Sequence, residues 1–354
     1  MNFIFCVCYF EITLNTNIII NPNLKILINE NIQGKKWKAL IEKSQYASPF
    51  QTLEYYDLFN AVEGLKAEVY AVEENSDIIA LCVITFQKER AITGYFSRRA
   101  IIYGGPVLKN HDETVLDFLL TYISNEFRNR AIFVEIRNLN DYSTLSDVFE
   151  KNRWQYIPFQ NFIIDCTDIE GPYNKLGQNR KRQIKKAINS GVEVREAENK
   201  DEVLEYYNIL QRLYCDKIKK PLFPKQFFEE FFDRNLGKYL LVFHKNKIIG
   251  GILCPILDGS CLYELYICGL DEEYKDQYPS VMATWGAIEF GKKNHIPIFD
   301  FMGAGRKGHD YGVREFKARF GGKLVEYGRY IKINNPLLYK IGVLALRLKQ
   351  MNKK

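Results

Sequence analysis

The sequence predicts a mixed α/β fold of the α+β type, built from two tandem domains of similar design. Its 354 residues are enough for two domains of ordinary size. Hydrophobic residues make up 47% and charged residues 26% of the chain, as in globular proteins. Strand hairpins alternate with helical patterns, and the same order of elements returns about 170 residues later. Each domain is therefore expected to be a mixed, twisted sheet flanked by helices.

The first domain is expected at residues 24–170. Two apolar runs on either side of a polar turn predict a hairpin at 66–87. A strand at 91–103, a helix at 113–128 and a strand at 132–137 are predicted to follow.

The second domain is expected at residues 171–335. It repeats the order of the first with a hairpin, a strand, a helix and a strand at 238–257, 260–268, 280–293 and 298–302. The run Asn75-Ser-Asp-Ile-Ile-Ala80 in the first hairpin is similar to Asn246-Lys-Ile-Ile-Gly250 in the second. These repeats indicate an internal duplication at the scale of a domain.

Two terminal segments are expected to lie outside the domains. Residues 1–23 are apolar and rich in Asn, and no Lys or Arg precedes Lys25, so they lack the charged start of a secretory signal. We expect a disordered extension or a start codon assigned too far upstream. Residues 336–354 predict an amphipathic helix with Leu338, Ile341 and Leu344 on its apolar face. This helix is expected to pack on the body of the protein, with contact to a membrane surface as the alternative.

Positive charge is concentrated in a few segments, although the net charge is only +6. A helix is predicted at 173–190, with Leu176 and Ile184 on its apolar face and Lys181, Arg182, Lys185 and Lys186 opposite. Arg180 also belongs to this basic helix, and a second cluster is formed by Lys217, Lys219 and Lys220. Both clusters are expected to contact a polyanion such as RNA or a diphosphate, unless they are simply solvated surface.

The eight cysteines are scattered, and neither a CxxC pair nor a pair of histidines accompanies them. This pattern favours reduced, buried thiols and a cytoplasmic protein, and it predicts no metal site.

The segment 299–322 holds the best candidates for catalysis. Phe299-Asp-Phe-Met-Gly303 reads as an apolar strand that ends in an acid and a glycine. A Gly-rich basic loop follows, with Gly303, Arg306 and His309 as candidates for substrate contact. Lys317, next to Phe316, is the candidate for stabilising negative charge in a transition state. Asp300 either orients a substrate amine or caps the next turn through backbone N–H groups.

Five sequence features together resemble the Fem family, the aminoacyltransferases that build peptidoglycan bridges from aminoacyl-tRNA. They are Gly104-Gly-Pro-Val107, Asn179-Arg-Lys-Arg-Gln-Ile-Lys-Lys-Ala187, Trp285-Gly-Ala-Ile288 after Pro279, Phe299-Asp-Phe-Met-Gly303, and Glu315-Phe-Lys-Ala-Arg-Phe-Gly-Gly322. The resemblance covers roughly residues 25–335. It implies tandem GNAT-like domains of the type without a coiled-coil arm, because the chain between Gly191 and Tyr239 is too short for one.

The resemblance also implies a function. An amine of a UDP-linked or lipid-linked muropeptide would attack the ester of an aminoacyl-tRNA, with no further cofactor. Lys317, Phe316 and Asp300 would be catalytic, and Tyr263 would join the basic residues and the Gly-rich loop in binding substrate. The protein would be cytoplasmic, with peripheral contact to the inner face of the membrane. Gly104 and Lys109 replace the Arg and the acid that some members carry around the Gly-Pro pair, so no catalytic acid is expected from that loop.

Two other functions remain open at this stage. One is transfer from an acyl-CoA to a sugar or polysaccharide precursor of the cell envelope. That chemistry needs a Gly-rich turn at a helix N-terminus, whereas the junction at 271–279 is acidic. The other is a protein that binds RNA or a membrane without catalysis.

Overall fold

The computed structural model describes residues 23–87, 98–168, 171–308 and 312–351. The strands in chain order are β1 (Leu24–Ile28), β2 (Lys66–Glu74), β3 (Asp77–Gln87), β4 (Arg99–Gly104), β5 (Val107–Leu108), β6 (Phe133–Asn138), β7 (Gln155–Ile157), β8 (Asn161–Asp165), β9 (Val192–Glu196), β10 (Gly237–His244), β11 (Lys247–Leu257), β12 (Cys261–Tyr263), β13 (Tyr266–Gly269), β14 (Ile298–Asp300), β15 (Lys323–Val325) and β16 (Arg329–Ile333). The α-helices are α1 (Gly34–Lys43), α2 (Leu53–Ala61), α3 (Glu113–Glu126), α4 (Ser146–Lys151), α5 (Pro172–Lys175), α6 (Gln178–Asn189), α7 (Lys200–Leu213), α8 (Lys225–Asp233), α9 (Pro279–Lys293), α10 (Gly312–Ala318) and α11 (Pro336–Met351).

The strands form two mixed sheets with the same internal order. The first runs β1-β2-β3-β4-β6-β16-β7, with β5 also on β3. The second, read in the matching direction, runs β9-β10-β11-β12-β14-β8-β15, with β13 also on β11. In each sheet one pair is parallel, β4 with β6 and β12 with β14, and the helix α3 or α9 lies between its strands in the chain. The predicted fold class and the duplication are therefore confirmed.

The two halves exchange one strand. β8, from the first half of the chain, lies between β14 and β15 in the second sheet. β16, from the end of the second half, lies between β6 and β7 in the first sheet. The boundary expected at residues 170/171 therefore does not separate the two sheets.

Three hydrophobic clusters cover the faces of the sheets. One cluster lies between the sheets and combines residues of α1 and α2 with residues of α7 and α8. Aromatic rings join the halves there, such as Tyr55 with Phe231 at 6.1 Å and Phe59 with Phe223 at 5.6 Å between centroids. The outer faces are covered by α3 and α4 on the first sheet and by α6 and α9 on the second. Successive residues of β2 alternate between the faces, because side chains point to opposite sides of a strand.

Two predicted elements are broken in the structure. The helix expected at 173–190 is divided into α5 and α6, because Leu176 and Gly177 have extended backbone. The strand expected at 260–268 is divided into β12 and β13, and the pairing with β11 shifts by one residue between them. This shift is a β-bulge in which Glu264 and Leu265 lie opposite Cys254, next to Pro255, which has no N–H to donate. The predictions for residues 1–22 and for 91–97 fall outside the described residues.

The C-terminal helix α11 is present, and the described part of it packs on the body through the side that carries Tyr339. The Tyr339 ring contacts Phe133 at 5.4 Å between centroids. Leu337, Ile341 and Leu344 lie on another side and are 69%, 48% and 57% exposed. In the described ranges, no helix is long and apolar enough to cross a membrane.

Candidate active site

The candidate site lies where the parallel strands β12 and β14 end in the second sheet. Carboxyl ends of neighbouring parallel strands meet at one edge of a sheet, so the residues that follow them come together. Here the backbone N–H of Glu264 donates to the carbonyl of Asp300 over 2.8 Å. The β-bulge therefore places Glu264 directly beside the predicted acid.

Lys317 is a buried cation at the centre of this site. Its side chain comes from α10 and the residue is only 7% exposed. The ammonium nitrogen donates to the carbonyls of Phe301 and Gly303 over 2.6 and 2.9 Å. It also lies 2.9 Å from Oε1 of Glu264, and all three of its protons thus have acceptors. The geometry fixes a positive charge at the start of the Gly-rich loop.

Glu264 is a site residue that the sequence reasoning missed. It is 5% exposed, and its Oε2 has no hydrogen-bond partner within the described residues. Burial raises the pKa of its carboxyl, and the attraction of Lys317 opposes this shift. The available signal was one acid within the apolar run at 260–269, since a charge on a strand that is otherwise apolar needs a buried partner.

Asp300 supports the turn that leads into the Gly-rich loop. Its Oδ1 accepts from the N–H of Met302 over 2.5 Å and from the side-chain amide of Asn161 over 2.8 Å. Asn161 in turn accepts from the N–H of Gly303 over 2.7 Å, so β8 contributes to the same turn. Gly303 has a φ of 122°, which a residue with a Cβ rarely adopts. The contacts of Asp300 are those of a turn cap.

Burial also changes the acidity of Asp300. The residue is 2% exposed, and burial raises the pKa of its carboxyl to about 6 against the opposing effect of its hydrogen bonds. Two carboxyls with raised pKa values, those of Asp300 and Glu264, thus flank one lysine. Such groups are suited to proton transfer near neutral pH.

Arg180, predicted as a polyanion contact, is buried instead. It is 2% exposed, because its guanidinium lies between α6 and α10 over the rings of Phe316 and Phe320, at 4.6 and 4.4 Å. It donates to the carbonyl of Phe316 over 3.0 Å. Burial, and then the charge of Arg319, lower its pKa to about 10. Arg180 is buried because two aromatic faces hold its guanidinium. Its contacts in turn position Phe316 next to Lys317.

The other basic residues of α6 stay at the surface. Arg182 and Lys185 are exposed and Lys181 is half-buried, with its ammonium donating to the carbonyl of Asn174 over 3.0 Å. This helix and the second basic cluster both form ion pairs with one acidic turn, residues 272–276, and therefore lie near each other. Lys186 of α6 pairs with Asp276 over 2.7 Å, and Lys217 pairs with Glu272 over 2.5 Å.

The remaining predicted site residues have different environments. Lys219 and Lys220 are exposed, as is Lys217. Arg306 is exposed and its backbone pairs with Phe159. Tyr263 is 4% exposed and packs edge-on against Phe50 at 6.3 Å, so it belongs to the core between the sheets. The candidate His309 lies outside the described residues.

The first half carries no equivalent of the lysine. β15 and β7 occupy matching positions in the two sheets. Lys317 stands six residues before β15 begins, and the matching position six residues before β7 is Phe149. Both segments then contain a positive φ two residues before the strand, 77° at Gly321 and 59° at Arg153. Phe149 stacks on Tyr330 with 3.8 Å between the ring centroids. The first half thus has an aromatic ring at the position that matches the buried lysine.

Comparisons with known proteins agree with this division. Residues 245–347, which include Glu264, Asp300 and Lys317, match the FemAB family. No curated protein matches the chain by sequence. Solved structures that match include FemX, with a TM-score of 0.68, 13% identity, and coverage of 89% of this chain and 99% of that one.

Two further solved structures show the breadth of the fold. The C-terminal domain of a putative lysylphosphatidylglycerol synthetase from Agrobacterium fabrum has a TM-score of 0.58 at 11% identity, and 88% of this chain and 94% of that one are covered. A tandem GNAT protein from the clavulanic acid biosynthesis pathway has a TM-score of 0.56 at 9% identity, covering 88% and 99%. At these identities the structures show the fold alone. The match at 245–347 makes the second half of the chain similar to the FemAB family, and the FemX-like fold over 89% of the chain gives it a tandem GNAT-like fold.

Proposed function

We propose that this protein transfers an amino acid from aminoacyl-tRNA to an amine of a peptidoglycan precursor. The observation that carries the proposal is the buried Lys317, held by Glu264 and two backbone carbonyls inside the segment that matches the FemAB family. The ester of an aminoacyl-tRNA is already activated, so the protein needs to align two substrates and stabilise an oxyanion. UDP-linked and lipid-linked muropeptides are the acceptor classes that this proposal includes.

The proposed reaction is one substitution at the ester carbonyl. The acceptor nitrogen forms a bond to the carbonyl carbon, the bond from that carbon to the ribose oxygen breaks, and the proton of the amine ends on the ribose oxygen. Lys317 would stabilise the intermediate by turning one N–H from the carbonyl of Gly303 towards the oxyanion. Gly303 lies in a glycine-rich turn, which makes this exchange a small movement. Asp300 or Glu264, with their raised pKa values, would carry the proton.

Binding of the tRNA is proposed on the surface formed by Arg182, Lys185 and the cluster at 217–220. These side chains are exposed, and the pairs with Asp276 and Glu272 hold both clusters around one turn. Several phosphate contacts would make binding strongly dependent on salt.

The structure gives a physical argument against the acyl-CoA alternative. A CoA pyrophosphate needs the free N–H groups of a helix N-terminus. At the start of α9, the carboxylate of Asp271 accepts from the N–H and the hydroxyl of Ser280 over 3.2 and 2.5 Å. At the start of α3, the carboxylate of Asp112 accepts from the N–H of Val115 over 3.0 Å. Both positions are occupied by negative charge of the protein itself.

A cytoplasmic location with peripheral contact to the membrane is part of the proposal. The exposed Leu337, Ile341 and Leu344 of α11 would provide the apolar contact, and Lys340 beside them is exposed as well. Such a helix lies in the interface rather than across the bilayer.

Label transfer tests the proposal directly. The purified protein is incubated with a pool of radiolabelled aminoacyl-tRNAs, or with labelled acetyl-CoA, and with UDP-linked and lipid-linked muropeptides. We expect label to move from tRNA to muropeptide, and Lys317→Ala to reduce this by about 100-fold or more. Lys323→Ala, an exposed lysine six residues later, is the matched control and should keep full activity.

Two outcomes would contradict the proposal. Transfer from acetyl-CoA alone would make the protein a CoA-dependent acyltransferase. Retention of tRNA with no transfer to any acceptor, before and after Lys317→Ala, would make it a binding protein. Because Lys317→Ala leaves Glu264 buried without a partner, folding of the variant is checked by circular dichroism, and Lys317→Met with Glu264→Gln serves as the variant without an unpaired charge.

A further inference from the structure

The Gly-rich loop beside Lys317 begins with a bulge against a strand of the first half of the chain. Beyond the end of β14, the N–H of Phe301 donates to the carbonyl of Phe162 over 3.1 Å, and the N–H of Ala304 donates to that of Gln160 over 2.6 Å. Phe162 and Gln160 are two residues apart, whereas Phe301 and Ala304 are three apart. The extra residue makes the loop bulge away from β8.

The backbone groups of this bulge bind side chains instead of the strand. The N–H of Met302 donates to Oδ1 of Asp300, and the N–H of Gly303 donates to Oδ1 of Asn161 over 2.7 Å. Two carbonyls of the bulge accept from the ammonium of Lys317. Met302 has a φ of 53°, which residues with a Cβ rarely adopt, so these three side chains hold a conformation that the backbone alone does not favour.

Asn161 binds both sides of the turn with one amide. The residue is 5% exposed, and its Nδ2 donates to Oδ1 of Asp300 over 2.8 Å while its own Oδ1 accepts from Gly303. Both hydrogen bonds that the Asp300 side chain accepts from the described residues reach Oδ1. Oδ2 is therefore the oxygen on which Asp300 binds and releases a proton.

We propose that Asn161 is a positioning residue of the active site, which holds the Asp300 carboxylate and the Gly-rich turn in the arrangement that proton transfer requires. Asp300 takes the proton of the attacking amine on Oδ2 and returns it to the ribose oxygen. This step rests on the proposed function, whereas the hold of Asn161 on Asp300 does not. The first half of the chain thus supplies a residue to the site in the second half through the exchanged strand β8.

The charge of Asp300 depends on this contact. A donor to a buried carboxylate favours its charged form, so Asn161 opposes the effect of burial on the pKa of Asp300. The other titratable groups that face Asp300 are Lys317 of α10, Glu264 at the β-bulge, Cys261 and Tyr263 of β12, and Tyr327 between β15 and β16. Thiols and phenols with raised pKa values stay neutral up to pH 8, so the two carboxyls account for the titration of this cluster between pH 4 and pH 8.

The pH dependence of the free energy of unfolding tests the inference without any substrate. In the wild type, the stabilisation by protonated Asp300 is lost as the pH rises through about 6. Asn161→Asp keeps an acceptor for the N–H of Gly303 and replaces the donor with a second carboxyl. Two adjacent carboxyls do not readily ionise together, so we expect the midpoint of this loss to rise by about one pH unit or more.

Asn60→Asp is the matched control for this substitution. Asn60 is exposed, and its amide likewise accepts from a backbone N–H, that of Ala67, over 3.0 Å. Among the described residues its donors reach only the carbonyls of Tyr56 and Ala67. Because no carboxylate receives the amide of Asn60, its replacement should leave the midpoint unchanged.

A second variant separates positioning from packing. Asn161→Ala removes the donor and adds no charge, so the midpoint should still rise, but by less than in Asn161→Asp. A loss of packing alone would lower stability equally at every pH. In label transfer, the acidic limb of kcat against pH should shift in the same order, and a shift of one pH unit lowers the rate on that limb about tenfold.

Circular dichroism identifies the variants that fold. The inference is overturned if a folded Asn161 variant keeps the midpoint of the wild type, or if Asn60→Asp moves the midpoint as far as Asn161→Asp. If the midpoints move as expected but the wild type transfers no label, the proposed function is overturned, and the hold of Asn161 on Asp300 stands.

Discussion

The ion pair between Lys317 and Glu264 is buried on both sides, with side chains that are 9% and 4% exposed. Glu264→Gln leaves the lysine in a low-dielectric site without its counter-charge, and we expect a loss of about 3–5 kcal/mol in the free energy of unfolding. Urea denaturation at pH 7 measures this value. The surface pair Lys225–Glu229, with 53% and 31% exposure, provides the control Glu229→Gln, which should cost less than about 1 kcal/mol. Equal costs for both variants would show that the buried pair is not desolvated.

Asp300 makes stability depend on pH in an unusual direction for an acid. Burial raises its pKa to about 6, whereas an unfolded Asp titrates near 4, so the folded state holds this proton more tightly. The stabilisation is fully present below about pH 4 and is lost as the pH rises through about 6. Asp300→Asn should therefore remove about 3 kcal/mol of the change in unfolding free energy between pH 4 and pH 7.

Asp165 is the control for this measurement, because its pKa is shifted in the direction opposite to that of Asp300. Hydrogen bonds from Thr167 lower the pKa of its carboxyl, so its stabilisation is present above the usual pKa of Asp and is lost as the pH falls. A difference between the wild type and Asp300→Asn that does not vary with pH would contradict the assigned role of Asp300.

At the scale of an element, α6 has two faces with different tasks. Arg182→Gln and Lys185→Gln change exposed positions, so each should leave the fold intact, weaken tRNA binding, and reduce the slope of log K against log salt by about 1. Arg180→Lys changes the buried face, where a lysine cannot span the rings of Phe316 and Phe320. It should lower the rate of transfer with little change in the salt slope. Filter binding over a series of salt concentrations separates the two effects. Arg180→Gln removes the charge, and a fall of about 1 in its salt slope, as in Arg182→Gln, would place Arg180 on the tRNA-binding surface.

The order of elements could be predicted from the sequence because hairpins, helices and turns have local signals. The hairpins β2–β3 and β10–β11, the helices α3 and α9, and the cluster around Lys317 all follow such patterns. The acid within the apolar run at 260–269 signals that Glu264 needs a buried partner, but it does not say which distant residue that partner is. Arg180 could not be assigned in this way, since a basic residue on a helix carries the same local pattern whether it is exposed or buried.

The exchange of β8 and β16 could not be predicted from local sequence patterns either, because any short apolar strand can join either sheet. It has a direct consequence for the whole molecule: neither sheet is complete without the other half. Truncation after residue 328 removes β16 and leaves β6 and β7 without the strand between them. We expect hydrogen exchange in β6 and β7 to lose its protection and the melting temperature to fall.

Truncation after Asn335 is the matched control for this experiment. It removes only α11 and keeps Asn334, whose side chain donates to the carbonyls of Phe127 and Ala131 over 2.9 and 3.1 Å. The loss of the contact between Tyr339 and Phe133 should cost about 1 kcal/mol. If both truncated proteins keep protection in β6 and β7, the exchanged strand is dispensable for the first sheet.

The exchanged strands also determine when the first sheet can be completed during translation. A nascent chain grows at about 5–20 residues per second, so residue 333 leaves the tunnel about 9–35 s after residue 157. During that interval β6 and β7 lack the strand that belongs between them, and β6 presents an open backbone edge to other chains. The first half therefore cannot finish folding while the second is being translated. Until β16 is made, that edge of β6 is open to pairing with other chains.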